Sequence, residues 1–325
     1  MHPWNEPVLE QFKARLERLP HALLVHGAPG IGKLALAERM ANLLLCEHAE
    51  AARRPCGQCD GCRWFAIGNH PDFRRVEPEA LAKQPVASEE GEEGAGEPPA
   101  RRARQPSVQI RIEQVRELAD FLNLRSHRGR LRVALVHPAE DMNENAANAL
   151  LKGLEEPPAG AVFILVSHRA ARLLPTIRSR CVALAVPLPA RATALQWLAA
   201  QNVKDTERWL AYAGGAPLRA LDYAAEAPLL ERLLQSPGVV EDREAIERLA
   251  EALQKIAYDR AFMAFGLPPK YRTGKAAVSP QSARAWIAYA RKMNEDRALS
   301  RHPLNPRLFS AEMVAAMPAN TSKQG

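Results

Sequence analysis

A glycine-rich segment near the N-terminus carries the residues best suited to bind a phosphate. Residues 21–37 predict an apolar strand, a loop and a helix that opens at Gly32-Lys33. The loop nearly matches the phosphate-binding pattern G-x-x-x-x-G-K-[ST], with candidate nucleotide-binding residues Gly27, Gly30, Gly32 and Lys33. The last position is Leu34, so the loop lacks the hydroxyl that binds magnesium in hydrolytic sites. The sequence therefore predicts a nucleotide-binding fold with impaired or absent turnover, in which ATP binding is doubtful.

A second pattern, just after this helix, is typical of a metal site. Cys46, Cys56, Cys59 and Cys62 have the spacing C-x9-C-x2-C-x2-C. Four thiolates complete a tetrahedral zinc shell, and such a closed site is structural because it leaves no position for water. His48 and His70 are possible substitute ligands, and unrelated free thiols or a redox C-x-x-C are the alternatives. We expect one structural Zn²⁺ in this module.

The apolar strand predicted at residues 131–136 ends without the acidic residues that hydrolysis needs. In a phosphate-binding fold this strand is expected to end with an Asp that anchors magnesium. Here it is followed by His137 and Pro138. Glu140 and Asp141 come later and are expected to cap the next helix. The sequence thus predicts that the magnesium-binding carboxylates are missing.

Composition excludes some classes of protein and leaves others open. The chain has 325 residues, 47% of them hydrophobic and 25% charged, which predicts two or three globular domains. A net charge of +7 and a pI of about 9.3 permit contact with nucleic acid but are not diagnostic. No export signal or membrane span is evident. We expect a cytoplasmic protein with reduced cysteines.

The elements that position these residues follow from hydrophobic periodicity. Apolar strands alternate with amphipathic helices up to about residue 186, which predicts a parallel sheet with helices on both faces. Residues 83–107 are rich in Pro, Gly, Glu and Ala and predict a disordered insertion. From residue 188 onward, helical spacing of apolar residues predicts an all-helical part.

Five motifs together resemble the clamp-loader branch of the AAA+ family. They are the loop Gly27–Leu34, the four-cysteine module, His70-Pro-Asp72, the run Asn148–Pro158 and Ser179-Arg-Cys181. The resemblance implies an α/β AAA+ domain at residues 1–187 that contains the zinc module 46–62. It also implies a small helical lid domain at 188–226 and an all-α collar domain for oligomerisation at 227–325.

The resemblance also implies a function. Clamp loaders of this branch are rings of five subunits that use ATP to open a sliding clamp and close it around primed DNA. The implied partners are gamma/tau-type ATPase subunits and delta, with the clamp contacted indirectly. Arg180 corresponds to an arginine that reaches into a neighbouring subunit's ATP site, and the alternative is a structural arginine paired with a carboxylate. The degenerate loop matches members without ATPase or polymerase activity of their own.

Contacts with DNA and a nucleotide sensor are further expectations from the resemblance. Arg111, Arg116, Asn143 and Asn145 lie near predicted helix starts, where phosphates bind, although solvated surface is the alternative for each. Arg219 lies one position away from that of a sensor arginine. Two other functions are considered: an active ATPase subunit of the same ring, and a stand-alone zinc-containing nucleotide-dependent DNA enzyme.

Overall fold

A computed structural model describes residues 1–82, 106–124, 131–274, 278–299 and 304–318. The chain forms two compact units, Met1–Leu188 and Pro189–Gly325. The predicted insertion at 83–107 lies outside the described residues except for Pro106 and Ser107. Within the described part of the chain, no helix is both long and apolar enough to cross a bilayer.

The first unit is built on a five-stranded parallel sheet in the order β2-β3-β4-β1-β5. Its strands are β1 (Ala22–His26), β2 (Phe73–Val76), β3 (Arg132–Val136), β4 (Ala161–Ser167) and β5 (Val182–Ala185). Every residue of β3 and β4 is buried. Because alternate side chains of a strand point to opposite faces, both faces of these strands are covered, which confirms the predicted α/β fold.

The described residues of the first unit also form six helices. They are α1 (Glu6–Lys13), α2 (Lys33–Leu45), α3 (Asp60–Ala66), α4 (Ile112–Asn123), α5 (Glu144–Glu155) and α6 (Pro175–Arg180). Helices α4, α5 and α6 share a core cluster with alternate residues of β1, β3 and β4, among them Leu24, Val136 and Phe163. Helix α2 contacts β1, β3 and β4. The sheet therefore fixes where the loop before α2 and the ends of α5 and α6 lie.

The second unit is all-helical among its described residues. Its helices are α7 (Arg191–Ala200), α8 (Thr206–Tyr212), α9 (Pro217–Ala225), α10 (Ala227–Gln235), α11 (Arg243–Ala264), α12 (Ala283–Leu299) and α13 (Pro306–Ala315). One core cluster includes Trp209, Tyr212 and Tyr223, and another includes Trp286 and Met313. The division into lid and collar domains at residues 226 and 227 stays a prediction.

Asp259 on α11 is buried and organises the segment after this helix. Its carboxylate accepts hydrogen bonds from the backbone N–H of Tyr271 at 2.8 Å and from both the N–H and the hydroxyl of Thr273 at 2.8 and 2.9 Å. Hydrogen bonds to a charged acceptor are stronger than neutral ones. This single side chain therefore ties residues 271–273 to the C-terminal part of α11.

We expect Asp259→Ala to lower the free energy of unfolding by about 2–3 kcal/mol, because it removes three hydrogen bonds and leaves their donors without this acceptor. Urea denaturation measures the change. Glu247→Ala, an exposed position on the same helix, is the control and should change stability by less than about 0.5 kcal/mol. Equal effects of the two variants would contradict this role of Asp259.

Candidate functional site

The glycine-rich loop adopts a conformation that requires its glycines. A Cβ atom on Gly27 would lie 2.3 Å from the carbonyl oxygen of Val186. Gly32 precedes α2 with a φ of 79°, in the left-handed region that glycine tolerates best. The loop thus leads from the carboxyl end of β1 to the N-terminus of α2, the position at which parallel α/β sheets bind phosphates.

Lys33 is buried inside this loop rather than extended from it. Its Nζ donates to the carbonyl oxygens of Gly27 at 2.9 Å and Ala28 at 2.5 Å. Only 2% of the residue is exposed. Burial lowers the pKa of Lys33 to about 8, although the nearby Glu140 carboxylate acts in the opposite direction. In the structure, the Lys33 ammonium thus donates two of its three N–H groups to carbonyls of its own loop.

The N-terminal segment lies against the same loop. The Asn5 side-chain amide donates to the carbonyls of Ile31 at 3.0 Å and Gly32 at 3.2 Å, and the Trp4 indole donates to Ile31 at 3.0 Å. The His2 ring stacks on Trp4, and a Cβ on Gly32 would lie 2.3 Å from it. These contacts help to hold the loop in the conformation observed.

A histidine pair lies at the carboxyl ends of β3 and β4, where His137 follows β3 and His168 follows β4. The magnesium-binding carboxylate expected directly after β3 is missing from the sequence. The Nε2 atoms of His137 and His168 are 3.3 Å apart. Burial, and then the neighbouring His168, lower the pKa of His137 to about 4, so the imidazole is neutral at pH 7. Imidazole nitrogens do not provide the oxygen ligands that Mg²⁺ prefers.

The prediction that Glu140 and Asp141 cap the next helix is wrong. They lie in a 3₁₀ turn at Ala139–Asp141, and the extended Met142 separates this turn from α5. Asn143 caps α5 instead, because its Oδ1 accepts from the backbone N–H of Ala146 at 2.8 Å. Glu140 accepts from the backbone N–H of His168 at 2.9 Å.

The four cysteines of the predicted metal module come together. The Sγ atoms of Cys46, Cys56, Cys59 and Cys62 all lie within 4.8 Å of one another, and this group is the one potential metal-binding cluster among the described residues. The two proposed substitutes have other roles: the ring of His70 is buried and accepts from the backbone of Asp72 at 3.0 Å, while His48 accepts from Glu50 at 3.2 Å. The cluster can therefore hold a metal ion with thiolate ligands alone.

The cysteines of this cluster differ in how strongly their surroundings favour the thiolate form. Backbone N–H groups of Cys59 and Gln58 donate to the sulfur of Cys56 and lower the pKa of this partly exposed thiol to about 6. Burial raises the pKa of Cys62 to about 12, and burial also raises the pKa of Cys46. A bound cation would favour the thiolate at the buried positions, because metal ligation displaces the thiol proton.

Arg180 lies at the last position of α6 and is partly exposed. Its Nη2 pairs with Glu155 Oε1 at 2.6 Å, and its Nη1 donates to the carbonyl of Thr176 at 3.0 Å. The pair matches the alternative of an arginine bound to a carboxylate. However, the two side chains are 34% and 48% exposed, and ion pairs this exposed contribute about 0.2–1 kcal/mol. Stability alone gives little reason for an arginine here. The adjacent Cys181 is half-buried.

The structure brings together the starts of α4 and α5, where four candidate DNA contacts lie. Ile110 and Met142 form a bridge between the two segments, so Arg111 and Asn143 lie next to paired backbone positions. Arg111 pairs with Glu79 at 3.2 Å. Arg116 and Asn145 are exposed, and Arg116 lines a cavity of about 620 Å³ between the two helices.

Arg219 lies on α9 and binds within the second unit. It contacts the buried carboxylate of Glu251 and the hydroxyl of Tyr223. Lys255 and Arg297 also lie 3.2 and 3.4 Å from Glu251. Burial opposes ionisation of this carboxyl, but Lys255 and Arg219 outweigh it and lower the pKa of Glu251 to about 2. A role of Arg219 as nucleotide sensor would require it to leave this network.

Sequence reasoning missed three partners of the predicted residues: Asn5, His168 and Glu155. Each acts through a contact between segments far apart in sequence, such as Glu155 with Arg180 or Asn5 with Gly32. No spacing pattern within one helix or loop signals such pairs.

The fold and the loop define the class of protein. A five-stranded parallel sheet with a glycine-rich loop between β1 and α2 is the core of an AAA+ nucleotide-binding fold. A crystal structure of a DNA polymerase III gamma subunit-related protein from Thermotoga maritima has this fold. It aligns with a TM-score of 0.51 and 19% identity, over 94% of this chain and 97% of that one.

Sequence comparison gives the family. The family described as "DNA polymerase III, delta subunit" matches residues 4–189. DNA polymerase III subunit delta' of Pseudomonas aeruginosa is 42% identical over 224 residues, and that of Escherichia coli is 32% identical over 225 residues. Each match covers 68% of this chain but only 60% of the relative's length. The chain belongs to the DNA polymerase III delta-prime subunit family.

The buried Lys33 gives a testable pH dependence. Between its native pKa of about 8 and its ordinary value of 10.5, the unfolded lysine keeps a proton that the folded lysine has lost. The unfolded state then binds more protons, so the free energy of unfolding rises with pH across this window, by about 3 kcal/mol from this residue.

Lys33→Met should remove this increase, as measured by urea denaturation at several pH values between 7.5 and 10.5. Lys152→Met, at an exposed position, should retain the increase of the unchanged chain. An identical slope in Lys33→Met and the unchanged chain would show that Lys33 keeps an ordinary pKa.

Proposed function

We propose that this chain is a non-hydrolysing, delta-prime-type subunit of the DNA polymerase III clamp loader. In this role it supports ATP-dependent loading of the sliding clamp onto primed DNA. Its partners are gamma/tau-type ATPase subunits and delta in a five-membered ring, through which it acts on the clamp. Family membership and the relatives' names support the loader, while the loop geometry supports the absence of hydrolysis.

The state of Lys33 is the observation that carries the non-hydrolysing role. Catalysis of phosphoryl transfer needs a lysine on the phosphates and a magnesium ion held by a hydroxyl and a carboxylate. Lys33 instead binds the carbonyls of Gly27 and Ala28. Leu34 and the neutral His137 replace the magnesium-binding groups. The loop identifies the fold, while its chemistry argues against an active ATPase subunit.

Arg180 is the residue proposed to act in trans, on the ATP of a neighbouring subunit. A guanidinium stays charged at any physiological pH and can bind two phosphate oxygens at once. Arg180 is partly exposed at the end of α6, so a neighbouring molecule can reach it. It would stabilise charge that develops on the transferred phosphoryl group.

Zinc is the metal proposed for the four-cysteine cluster. Tetrahedral thiolate sites select zinc or iron–sulfur clusters, and the spacing with short x2 loops fits a structural zinc site. Within the cluster, Gly61 allows α3 to approach α2, since its Cβ would lie 2.7 Å from the carbonyl of Leu45. The ion would join the end of α2 to the start of α3.

DNA contact is proposed at the joined starts of α4 and α5. Free N–H groups at helix N-termini and a positive dipole end favour phosphates. The exposed Arg116 and Asn145 are the candidates here, together with Arg111 and Asn143. Asn143 already accepts from the backbone of α5, so any contact to phosphate would come from its amide N–H₂.

ATP hydrolysis tests the proposed role directly. The purified chain should hydrolyse ATP no faster than its Lys33→Met variant. In a loader reconstituted with its partner subunits, Arg180→Ala should remove turnover at the one ATP site it serves, because an arginine finger contributes about a thousandfold or more there. The total DNA-stimulated ATPase rate of the loader should then fall by the fraction that this one site contributes.

Arg178→Ala is the matched control, since Arg178 is an exposed arginine on the same helix with no ion pair among the described residues. It should leave the loader's ATPase unchanged. Substantial hydrolysis by the purified chain would favour an active ATPase instead. An unchanged loader ATPase with Arg180→Ala would exclude the finger.

The metal proposal predicts one zinc per chain by elemental analysis of natively purified protein. Cys59→Ser should lose the zinc and lower the Tm by roughly 5 °C or more, because metal binding contributes to folding. Cys181→Ser, outside the cluster, should keep a full complement of zinc. Natively prepared protein without zinc would count against the site.

A further inference from the structure

The carboxylate of Glu155 is the partner of Arg180 within its own chain. Glu155 is the last residue of α5, and its Oε1 lies 2.6 Å from Nη2 of Arg180. The other terminal nitrogen, Nη1, donates to the carbonyl of Thr176 at 3.0 Å. The guanidinium is thus held at both terminal nitrogens, by α5 on one side and by its own helix on the other.

We propose that Glu155 is a positioning residue for Arg180, holding the guanidinium in the conformation that binds the phosphate oxygens of a neighbour's ATP. This inference rests on the proposed finger role of Arg180. A guanidinium has five N–H donors, so bonds to Glu155 and Thr176 leave others for phosphate. Ordering a long side chain before the reaction avoids the loss of its rotamer freedom when it binds.

A purely structural role of the pair is disfavoured because α6 is anchored by other contacts. Ile177 is fully buried in the core of the first unit. Leu173 just before α6 is also buried in this core, and Leu174 and Cys181 pack against it. Both side chains of the Glu155–Arg180 pair remain partly exposed, so its removal is expected to leave the fold intact.

The neighbouring residue Glu156 supplies a matched control. It is an exposed carboxylate directly after Glu155 and forms no ion pair within the part of the chain that the structure describes. Replacing it changes the net charge by the same amount without touching Arg180. If replacing Glu155 has an effect that replacing Glu156 does not reproduce, the effect is specific to the contact between Glu155 and Arg180.

The test measures the DNA-stimulated ATPase of the reconstituted loader. The quantity compared is the Arg180-dependent part of this activity, which is the rate that is lost in the Arg180→Ala variant. We expect Glu155→Ala to lower the kcat of this part about three- to tenfold, the loss expected from one freed side chain. The KM for ATP should change by less than about twofold, since the interaction acts on the transition state. Glu155→Gln should lose less, because its amide oxygen still accepts, and Glu156→Gln should have no effect.

A double variant separates this inference from the proposed function. With Arg180→Ala in place, Glu155→Ala should cause no further loss, because it acts only through the arginine. If Arg180→Ala alone leaves the ATPase unchanged, the finger itself fails. If Arg180→Ala lowers the ATPase while Glu155→Ala leaves or raises it, or if the two losses add, the positioning role is overturned and the finger stands. Glu155→Gln, nearly equal in size, carries the test should Glu155→Ala misfold.

Discussion

Parallel pairing of the strands is the constraint on which the rest of the first unit depends. Because β1, β3 and β4 run in the same direction, their carboxyl ends meet at one edge of the sheet. This places the glycine loop after β1, His137 after β3 and His168 after β4 in one site. The residues of β3 and β4 are buried on both faces, so the site rests on a rigid support.

At this edge, the glycine loop makes hydrogen bonds to side chains of the protein itself. Lys33 binds carbonyls of its own loop, and the side chains of Asn5 and Trp4 bind the loop from outside. Asn5 is buried, and its two contacts satisfy the N–H₂ group of its amide. The loop is therefore held in this conformation by hydrogen bonds from Lys33, Asn5 and Trp4.

The proposed function rests on residues at the ends of helices and not on this loop. Arg180 ends α6 and Glu155 ends α5, and both remain partly exposed while the helices are fixed by the core. In the second unit, Arg219 shows the opposite arrangement, since a buried carboxylate holds it among other cations. Exposure and the strength of the partner thus distinguish an arginine available to a neighbouring molecule from one that stabilises its own unit.

The sequence by itself determined the fold class, the glycine loop, the cysteine cluster and the family resemblance. These features depend on local spacing and on hydrophobic period, which a single chain segment carries. Leu34 and His137 also indicated a loop without hydrolytic groups. Only the tertiary structure decided which residues contact them: Lys33 with its own loop, His137 with His168, and Arg180 with Glu155. Those contacts join segments distant in sequence, and packing of the sheet and helices brings them together.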